Sequence, residues 1–486
     1  MLLQSLKRNG RIQSLNSRLL IKLNSQNSNN INTQQQFKRS YCDRIKSDNN
    51  NKNEPSLNST SVSNLSIATR QQLYMIDSNS PGSPFFLPHG TRIFNKLIKF
   101  MKLQQEKQGF TEVISPLIFK KDLWEKSGHW ENYKEDMFKV ESNDLSKLHE
   151  DEQNTIFGLK PMNCPGHCLI FDRFTRSHNE LPVRFSDWSS LHRNEASGAL
   201  TGLTRVRRFH QDDGHIFCTN EQIGDEISKT LKLIKLCYNT FGFKDNNYKM
   251  MLSTRPEESY IGNLEDWNKA EDQLREVLDL NAGEGNWLVR DGDGAFYGPK
   301  IDILLTDNFG KEHQVATIQL DFQLPKRFEL KYQDANDSLS TPILIHRAIF
   351  GSVERFFALL IDHYNGKWPF WLSPRQAVII PINQSHVEFA NGRLSELKGE
   401  QINYEFDKPS NLTGYNFHID IDSRNETVGF RTKDAIQKGY NYIILVGDKE
   451  VEADKLAIRS RDDRKIKVME SSEILKMFKS LEDSYN

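Results

Sequence analysis

Apolar positions recur along this chain with two periods, and the places where the period changes divide it into segments. From Asn24 to residue 66 there is no period. Asn, Ser, Gln and Lys dominate there, and residues 43–66 read as a linker. After a Pro/Gly-rich turn, Ile93, Leu97, Phe100 and Met101 fall on one face of a helix that Gly109 ends. Residues 110–114 then alternate as a strand until Pro116 breaks it. Helices are predicted over 223–238 and about 264–278, with a strand over 248–253 between them. Gly292, Gly294 and Gly298 follow, but no helix start comes after them. They read as a loop between strands rather than as a dinucleotide-binding turn. In HQVATIQLDFQLPKRF, a core strand with outward polar residues is one account of the Gln-Leu-Asp-Phe segment that holds Gln319, and the border of a binding site is the other. Val353, Phe357 and Leu360 form the buried stripe of a helix over 351–361. A Trp/Pro-rich break at 368–374 marks a domain boundary. Beyond it strands alternate with helices, the pattern of a small α/β domain.

One stretch breaks the apolar rule. Residues 193–217 begin with Arg193 and Glu195 on a strand, turn through a small-residue loop around Gly198 and Gly202, and return as a long polar strand. Period-2 geometry places Arg205, Arg207, Phe209, Gln211, Asp213 and His215 on one side of that strand. A solvated hairpin with a charged face is one account. The other is a face that reads a ligand from phosphates to head group, because guanidinium is a planar, permanently charged, bidentate donor and Phe209 offers a stacking ring.

Composition narrows the classes. The chain of 486 residues, enough for two or three domains, carries 64 basic and 65 acidic residues. Bulk charge therefore implies no nucleic-acid partner, and any such contact must come from local patches. Five cysteines at irregular spacing (Cys42, Cys164, Cys168, Cys218, Cys237) read as reduced thiols or metal ligands rather than a disulfide framework. No apolar run approaches the ~18 residues a membrane span requires, so no membrane partner is expected. Residues 1–42 hold Lys7, Arg8, Arg11, Arg18, Lys22, Lys38 and Arg39 and no acid. This is the composition of a mitochondrial transit peptide, and the alternative is a disordered basic tail.

Three segments carry further candidate chemistry. In KPMNCPGHCLIF, residues 160–171, Cys164 and Cys168 offer soft ligands on a tight turn, but a zinc site needs three or four Cys/His ligands and no second close Cys pair follows. His215 and His346 are candidate partners that spacing alone does not join. In GSVERFFALLI, Gly351 permits a close backbone approach, and Arg355 sits at the positive end of a helix. That placement makes sense if an anion binds there. His129, in a Gly-His-Trp turn, is either structural or a contact to substrate.

Residues 193–217 resemble motif 2, residues 351–361 motif 3, and the helix–strand unit around GFTEVISPLIFKKDLWEKSGHW the more degenerate motif 1 of the class II aminoacyl-tRNA synthetases, in the form found in threonyl-tRNA synthetases. The resemblance runs from about residue 67 to the end. It implies an α+β fold: a class II antiparallel sheet with helices over 67–373 and an α/β anticodon-binding domain over 374–486. It joins Cys164, His215 and His346 as ligands of one Zn²⁺ per subunit, leaving Cys168 a small buried residue. It implies an ATP site of Arg193, Glu195, Arg205, Phe209, Gln319 and Arg355, with Mg²⁺ accompanying ATP. Gln211, Asp213 and Tyr297 would hold threonine. Arg193 and Arg355 would be catalytic, with His129 as a helper near the tRNA end. Asn425, Glu450 and Arg459 fall where the family contacts the anticodon, although Lys438 and Gly439 only partly represent its basic pair and residues 401–416 look inserted.

The activity implied is threonine–tRNA ligation in the mitochondrial matrix by a homodimer acting on ATP, L-threonine and tRNA(Thr). Valine offers no oxygen to the metal. Serine lacks only a methyl, worth about 1–3 kcal/mol, so serine is the weak point of selection. Fewer than about 70 residues precede the catalytic domain, so a separate amino-terminal editing unit is not expected. A non-catalytic tRNA- or DNA-binding protein that kept the fold is the rival reading.

Overall fold

The helices and strands predicted from periodicity assemble around two sheets in this computed structural model, which describes residues 64–141 and 156–486 except 259, 308, 309, 406 and 464. The expected transit peptide and all but the last three residues of the expected linker lie outside the described residues. Those three belong to a helix, α1 (Asn64–Gln71), rather than to a linker. Helix α2 (Pro88–Lys107) starts on a proline, whose fixed φ suits the first helical position. It buries Ile93, Leu97, Phe100 and Met101 in the main core, and it ends before Gly109, whose φ of +80° reverses the chain. The motif-1 strand is short: β1 (Thr111–Glu112).

After a short helix α3 (His129–Tyr133), Cys164 and Cys168 lie on a helix rather than on a tight turn. It is α4 (Cys164–Asp172), with Cys164 at its first position and Pro165 at its second. Strand β2 (Val183–Asp187) follows, then β3 (Leu191–His192) paired with β4 (Arg208–Phe209). Arg193 and Glu195 lie just past β3 rather than within a strand. The long polar strand is also interrupted. After β4 the chain leaves regular pairing and resumes as β5 (Asp213–Cys218). The break is made by Asp212, fully buried, whose carboxylate accepts the amides of Ile349 (2.7 Å) and Phe350 (3.0 Å). Arg207 turns away from the expected face and donates to the Glu195 carbonyl (2.9 Å) and Ser197.

Helix α5 (Ile223–Thr240), strand β6 (Tyr248–Ser253), helix α6 (Leu264–Ala282) and strands β7 (Leu288–Arg290), β8 (Lys300–Thr306) and β9 (Glu312–Asp321) come next. One turn of helix, α7 (Leu324–Arg327), leads to β10 (Ile343–Ala348) and helix α8 (Val353–Tyr364). The main sheet has the order β7-β6-β8-β9-β10-β5-β2-β1, antiparallel except at its two edge pairings. Helix α8 is buried on most sides, as its continuous apolar run requires. Its entry depends on Gly351, at φ +64°, where a Cβ would lie 2.3 Å from the Val315 carbonyl oxygen.

The second sheet contains β11 (Ala377–Pro381), β12 (Ile419–Ile421), β13 (Tyr442–Val446), β14 (Leu456–Ser460) and β15 (Lys467–Met469), in the order β12-β11-β13-β14-β15. The first three run parallel, connected through α9 (Val387–Leu397) and α10 (Val428–Lys438). A short helix α11 (Asp448–Ala453), not anticipated from the sequence, precedes the β14–β15 hairpin, and α12 (Ser471–Asp483) closes the chain. Ala377, Ile379, Ile444 and Phe478 belong to a core of its own. Within the first part, Gln71 donates to the Gly366 carbonyl (2.7 Å) and accepts from Trp368 (2.8 Å). Polar contacts tie the second part to the first: Arg375 donates to the Gln71 carbonyl (2.7 Å), and Lys96 pairs with Glu482 (2.7 Å). Among the described residues no helix is long and apolar enough to cross a membrane.

Candidate functional site

Register sets the centre of the site. Across β8, β9, β10 and β5, Lys300 faces Gln319, Gln319 faces His346, and His346 faces His215. Residues directly opposed on neighbouring strands share a sheet face, so one polar row crosses four strands. Asp213 lies two residues before His215 and takes the same face. Above this face is a cavity of about 420 Å³ that Arg193, Glu195, Arg205, Phe209, Gln211, Asp213, Tyr297, Gln319, Arg355 and the row itself help to line.

At one end, Cys164 reaches in from the first turn of α4 toward His215 and His346. One ligand atom from each of the three lies within 4.8 Å of the others, and all three residues are buried. The two imidazoles approach at 2.9 Å, His215 Nε2 to His346 Nδ1. Burial first, and then His167 and His346, holds His215 well below the ordinary imidazole range. It is therefore neutral, with a lone pair to give. Burial pushes the Cys164 thiol up, so its thiolate requires a compensating cation. Soft sulfur plus two imidazoles at one end of the cavity fits a zinc-type ion. Cys168 is fully buried in an apolar cluster and takes no part.

At the other end, three guanidiniums converge. The Arg355 value is lowered by burial and then by the positive charges of Arg193 and Arg205. Such crowding is relieved by a bound polyanion. Arg355 is aimed by bonds to the carbonyls of Thr204 (3.1 Å) and Gln314 (3.0 Å), and its own amide is capped by Ser352. Arg205 pairs with Glu195 at 2.8 Å. Phe209, expected as a stacking platform, already carries the Arg193 guanidinium 5.0 Å from its centroid.

Between the two ends lie Gln211, Asp213 and Tyr297. Burial raises the Asp213 value, offset in part by His167 and by the Asn163 amide that donates to it at 2.9 Å. Tyr297 packs its ring 5.2 Å from that of His346. Gln319 is steadied by a bond to the Gly298 carbonyl (3.1 Å).

His129 is not among the residues lining this cavity. It is fully buried behind Cys164, with Nε2 3.7 Å from the sulfur and Nδ1 2.8 Å from Ser127. Burial, then the charges of His346, Arg327 and Arg193, lowers its value to about 3. It is therefore a neutral imidazole at physiological pH.

Two buried polar residues were not singled out from the sequence: Asn163, which holds Asp213, and Asp321, whose carboxylate lies 2.9 Å from His346 Nε2. Both sit in motifs that drew attention for a neighbour, Cys164 and Gln319. Their only sequence signal is a polar residue inside an otherwise packed element. In the second sheet, Asn425 and Glu450 follow the carboxyl ends of parallel strands β12 and β13, and Arg459 is on β14 opposite Ile443. Glu450 bonds the Gly447 amide at 3.0 Å.

Comparison with known proteins agrees with this layout. Residues 138–364 match the tRNA synthetase class II core domain (G, H, P, S and T), and residues 376–481 match the anticodon binding domain. The chain is 55% identical over 430 residues to the mitochondrial threonine–tRNA ligase of Saccharomyces cerevisiae, covering 86% of this chain and 91% of that protein. It is 50% identical over 436 residues to a probable mitochondrial threonine–tRNA ligase of Schizosaccharomyces pombe, covering 87% and 90%. Among solved structures, the RNA binding domain of threonyl-tRNA synthetase from Cryptosporidium parvum superimposes with a TM-score of 0.78 at 41% identity, covering 86% of this chain and 98% of that one.

Proposed function

The chain belongs to the threonine–tRNA ligases, class II aminoacyl-tRNA synthetases, and from that premise we propose how its cavity carries out the two steps of threonine ligation. ATP lies across the cavity with its phosphates, accompanied by Mg²⁺, among Arg193, Arg205 and Arg355. The base lies against Phe209, with the Arg193 guanidinium shifting from that ring toward the α-phosphate. Glu195 and Gln319 border the nucleotide. Threonine lies between Gln211, Asp213 and Tyr297. Its carboxylate oxygen attacks the α-phosphorus, the bond to the β-phosphate oxygen breaks, and pyrophosphate leaves threonyl-adenylate behind. A hydroxyl of the terminal adenosine of tRNA(Thr) then attacks the threonyl carbonyl and AMP departs. Positioning and fixed positive charge supply most of the acceleration.

Cys164, His215 and His346 would hold one Zn²⁺ per subunit, which would supply a Lewis-acidic position for the threonine amino and hydroxyl groups. Residues 67–373 act as the catalytic domain and residues 374–486 read the anticodon through Asn425, Glu450 and Arg459. Their separate cores support that division. The protein works as a homodimer. Exposed Ile114 (85%), Leu117 and Ile118, next to β1, supply apolar surface for the motif-1 interface. Its place is mitochondrial, as the names of the two relatives given above suggest, and within the mitochondrion we place it in the matrix.

The observation that carries this reading is that one cavity joins three guanidiniums at one end to the Cys/His/His trio at the other. Incubating the protein with ATP, labelled threonine and mitochondrial tRNA should yield an alkali-labile threonyl ester. Folded protein that binds the tRNA but forms no ester and consumes no ATP would instead favour the non-catalytic rival.

A further inference from the structure

The three candidate metal ligands are supported unequally. His346 Nε2 lies 2.9 Å from Asp321 Oδ2, whereas the Nδ1 atom of His215 is buried without a hydrogen-bond partner. Asp321 is fully buried at the end of β9. Its other oxygen, Oδ1, accepts the amides of Gln323 (2.7 Å) and Leu324 (3.0 Å) at the start of α7. A carboxylate only accepts, so the proton between Oδ2 and His346 sits on Nε2. Nδ1 then carries the lone pair, and Nδ1 is the atom that faces His215 in the trio.

From this geometry we infer that Asp321 is the positioning residue of the metal centre. It fixes His346 in the tautomer and ring orientation that turn Nδ1 toward the ion, while its second oxygen anchors the carboxylate to the backbone of α7. The inference rests on the reading that Cys164, His215 and His346 bind a metal, and adds a residue that touches neither metal nor substrate. Partners of this kind commonly change metal affinity by about 10–100-fold.

Two substitutions separate this role from mere packing. Asp321→Ser and Asp321→Asn each keep an oxygen for the two amides, so α7 stays capped. Serine is too short to reach His346 and leaves its tautomer free. Asparagine is almost the shape of aspartate, but with Oδ1 held by the amides it presents Nδ2–H to His346 Nε2. It thereby imposes the wrong tautomer, with the proton on Nδ1. A packing role predicts that asparagine is the milder change, and an orienting role predicts the reverse.

The measurement is Zn²⁺ affinity of the full-length chain by competition with a chromophoric chelator, with Cys164→Ala as the control without the site. Co²⁺-loaded absorption provides a second readout. The expected result is one site in the unsubstituted protein, about 10–100-fold weaker binding in Asp321→Ser, and a larger loss in Asp321→Asn. In both variants the thiolate–cobalt band should persist while the ligand-field bands change. Asparagine binding zinc like the unsubstituted chain, or more tightly than serine, would overturn the inference and leave the metal reading standing. An unsubstituted chain that binds no more zinc than Cys164→Ala would overturn the metal reading and this inference with it.

Discussion

Arg355 is held at the start of α8 where helix dipole, burial and two neighbouring guanidiniums all oppose its charge. A site maintained against those costs is one prepared for an anion. Removing one preorganised donor to developing charge commonly costs about 10²–10³-fold in rate. Arg355→Ala should therefore lower kcat/KM for ATP in threonine-dependent pyrophosphate exchange by about that factor, with Arg355→Lys recovering part of it. A change within a few-fold would remove Arg355 from the phosphate site. At this scale the sequence drew attention to residues of unusual chemistry, such as Arg193, Arg355 and Cys164, which line one cavity. It was silent on Asp321 and Asn163, because their importance lies in what they touch across β10 and β5. Nor did it show that the His129 ring is enclosed by Trp124, Tyr133, Phe296 and Tyr297, contacts that no local pattern encodes.

Helices with a 3.6-residue stripe, such as α2 and α5, were legible to within a few residues because one buried face dictates their pattern. The polar strand was not. Its break at Asp212 exists to bond amides more than a hundred residues away, so only tertiary structure reveals it. Gly351 is the element-scale counterpart. Gly351→Ala would force a non-glycine residue into φ +64° and a Cβ against the Val315 carbonyl, costing about 1–3 kcal/mol from backbone strain alone. The denaturation midpoint should fall accordingly, and an unchanged midpoint would mean the β9–α8 contact yields easily.

The packing of α2 against the carboxyl-terminal part carries a pH dependence. Burial, then Arg375 and Arg92, lowers His89 to about 4. Burial, then Arg92 and Lys96, lowers His418 to about 3. Both are depressed below the ordinary 6.5, so the unfolded chain takes up protons first as pH falls. Their contribution is present above pH 6.5 and is lost progressively toward pH 4. Denaturation at pH 5 should come at lower denaturant than at pH 7.5, and His418→Asn should flatten that difference.

For the whole molecule, two separate cores underlie the proposed division between a catalytic and an anticodon-reading part. A combined Asn425→Ala, Glu450→Ala and Arg459→Ala variant should raise KM for tRNA severalfold while leaving threonine-dependent exchange unchanged. Loss of exchange would instead mean these positions support the catalytic part through the Gln71, Arg375 and Lys96 contacts. The two-part organisation was legible from the Trp/Pro break and the change in strand–helix rhythm. The Gln71–Arg375 junction was not, because α1 contributes to it from about three hundred residues before Arg375.

The central claim, that one cavity activates threonine with ATP and selects it with a metal, is tested most directly by amino-acid-dependent ATP–pyrophosphate exchange. Threonine, serine and valine would be compared before and after zinc removal and readdition. The account predicts exchange with threonine, weaker exchange with serine and none with valine, lost with the zinc and restored by it. Equal exchange with valine, or threonine exchange indifferent to zinc, would contradict it.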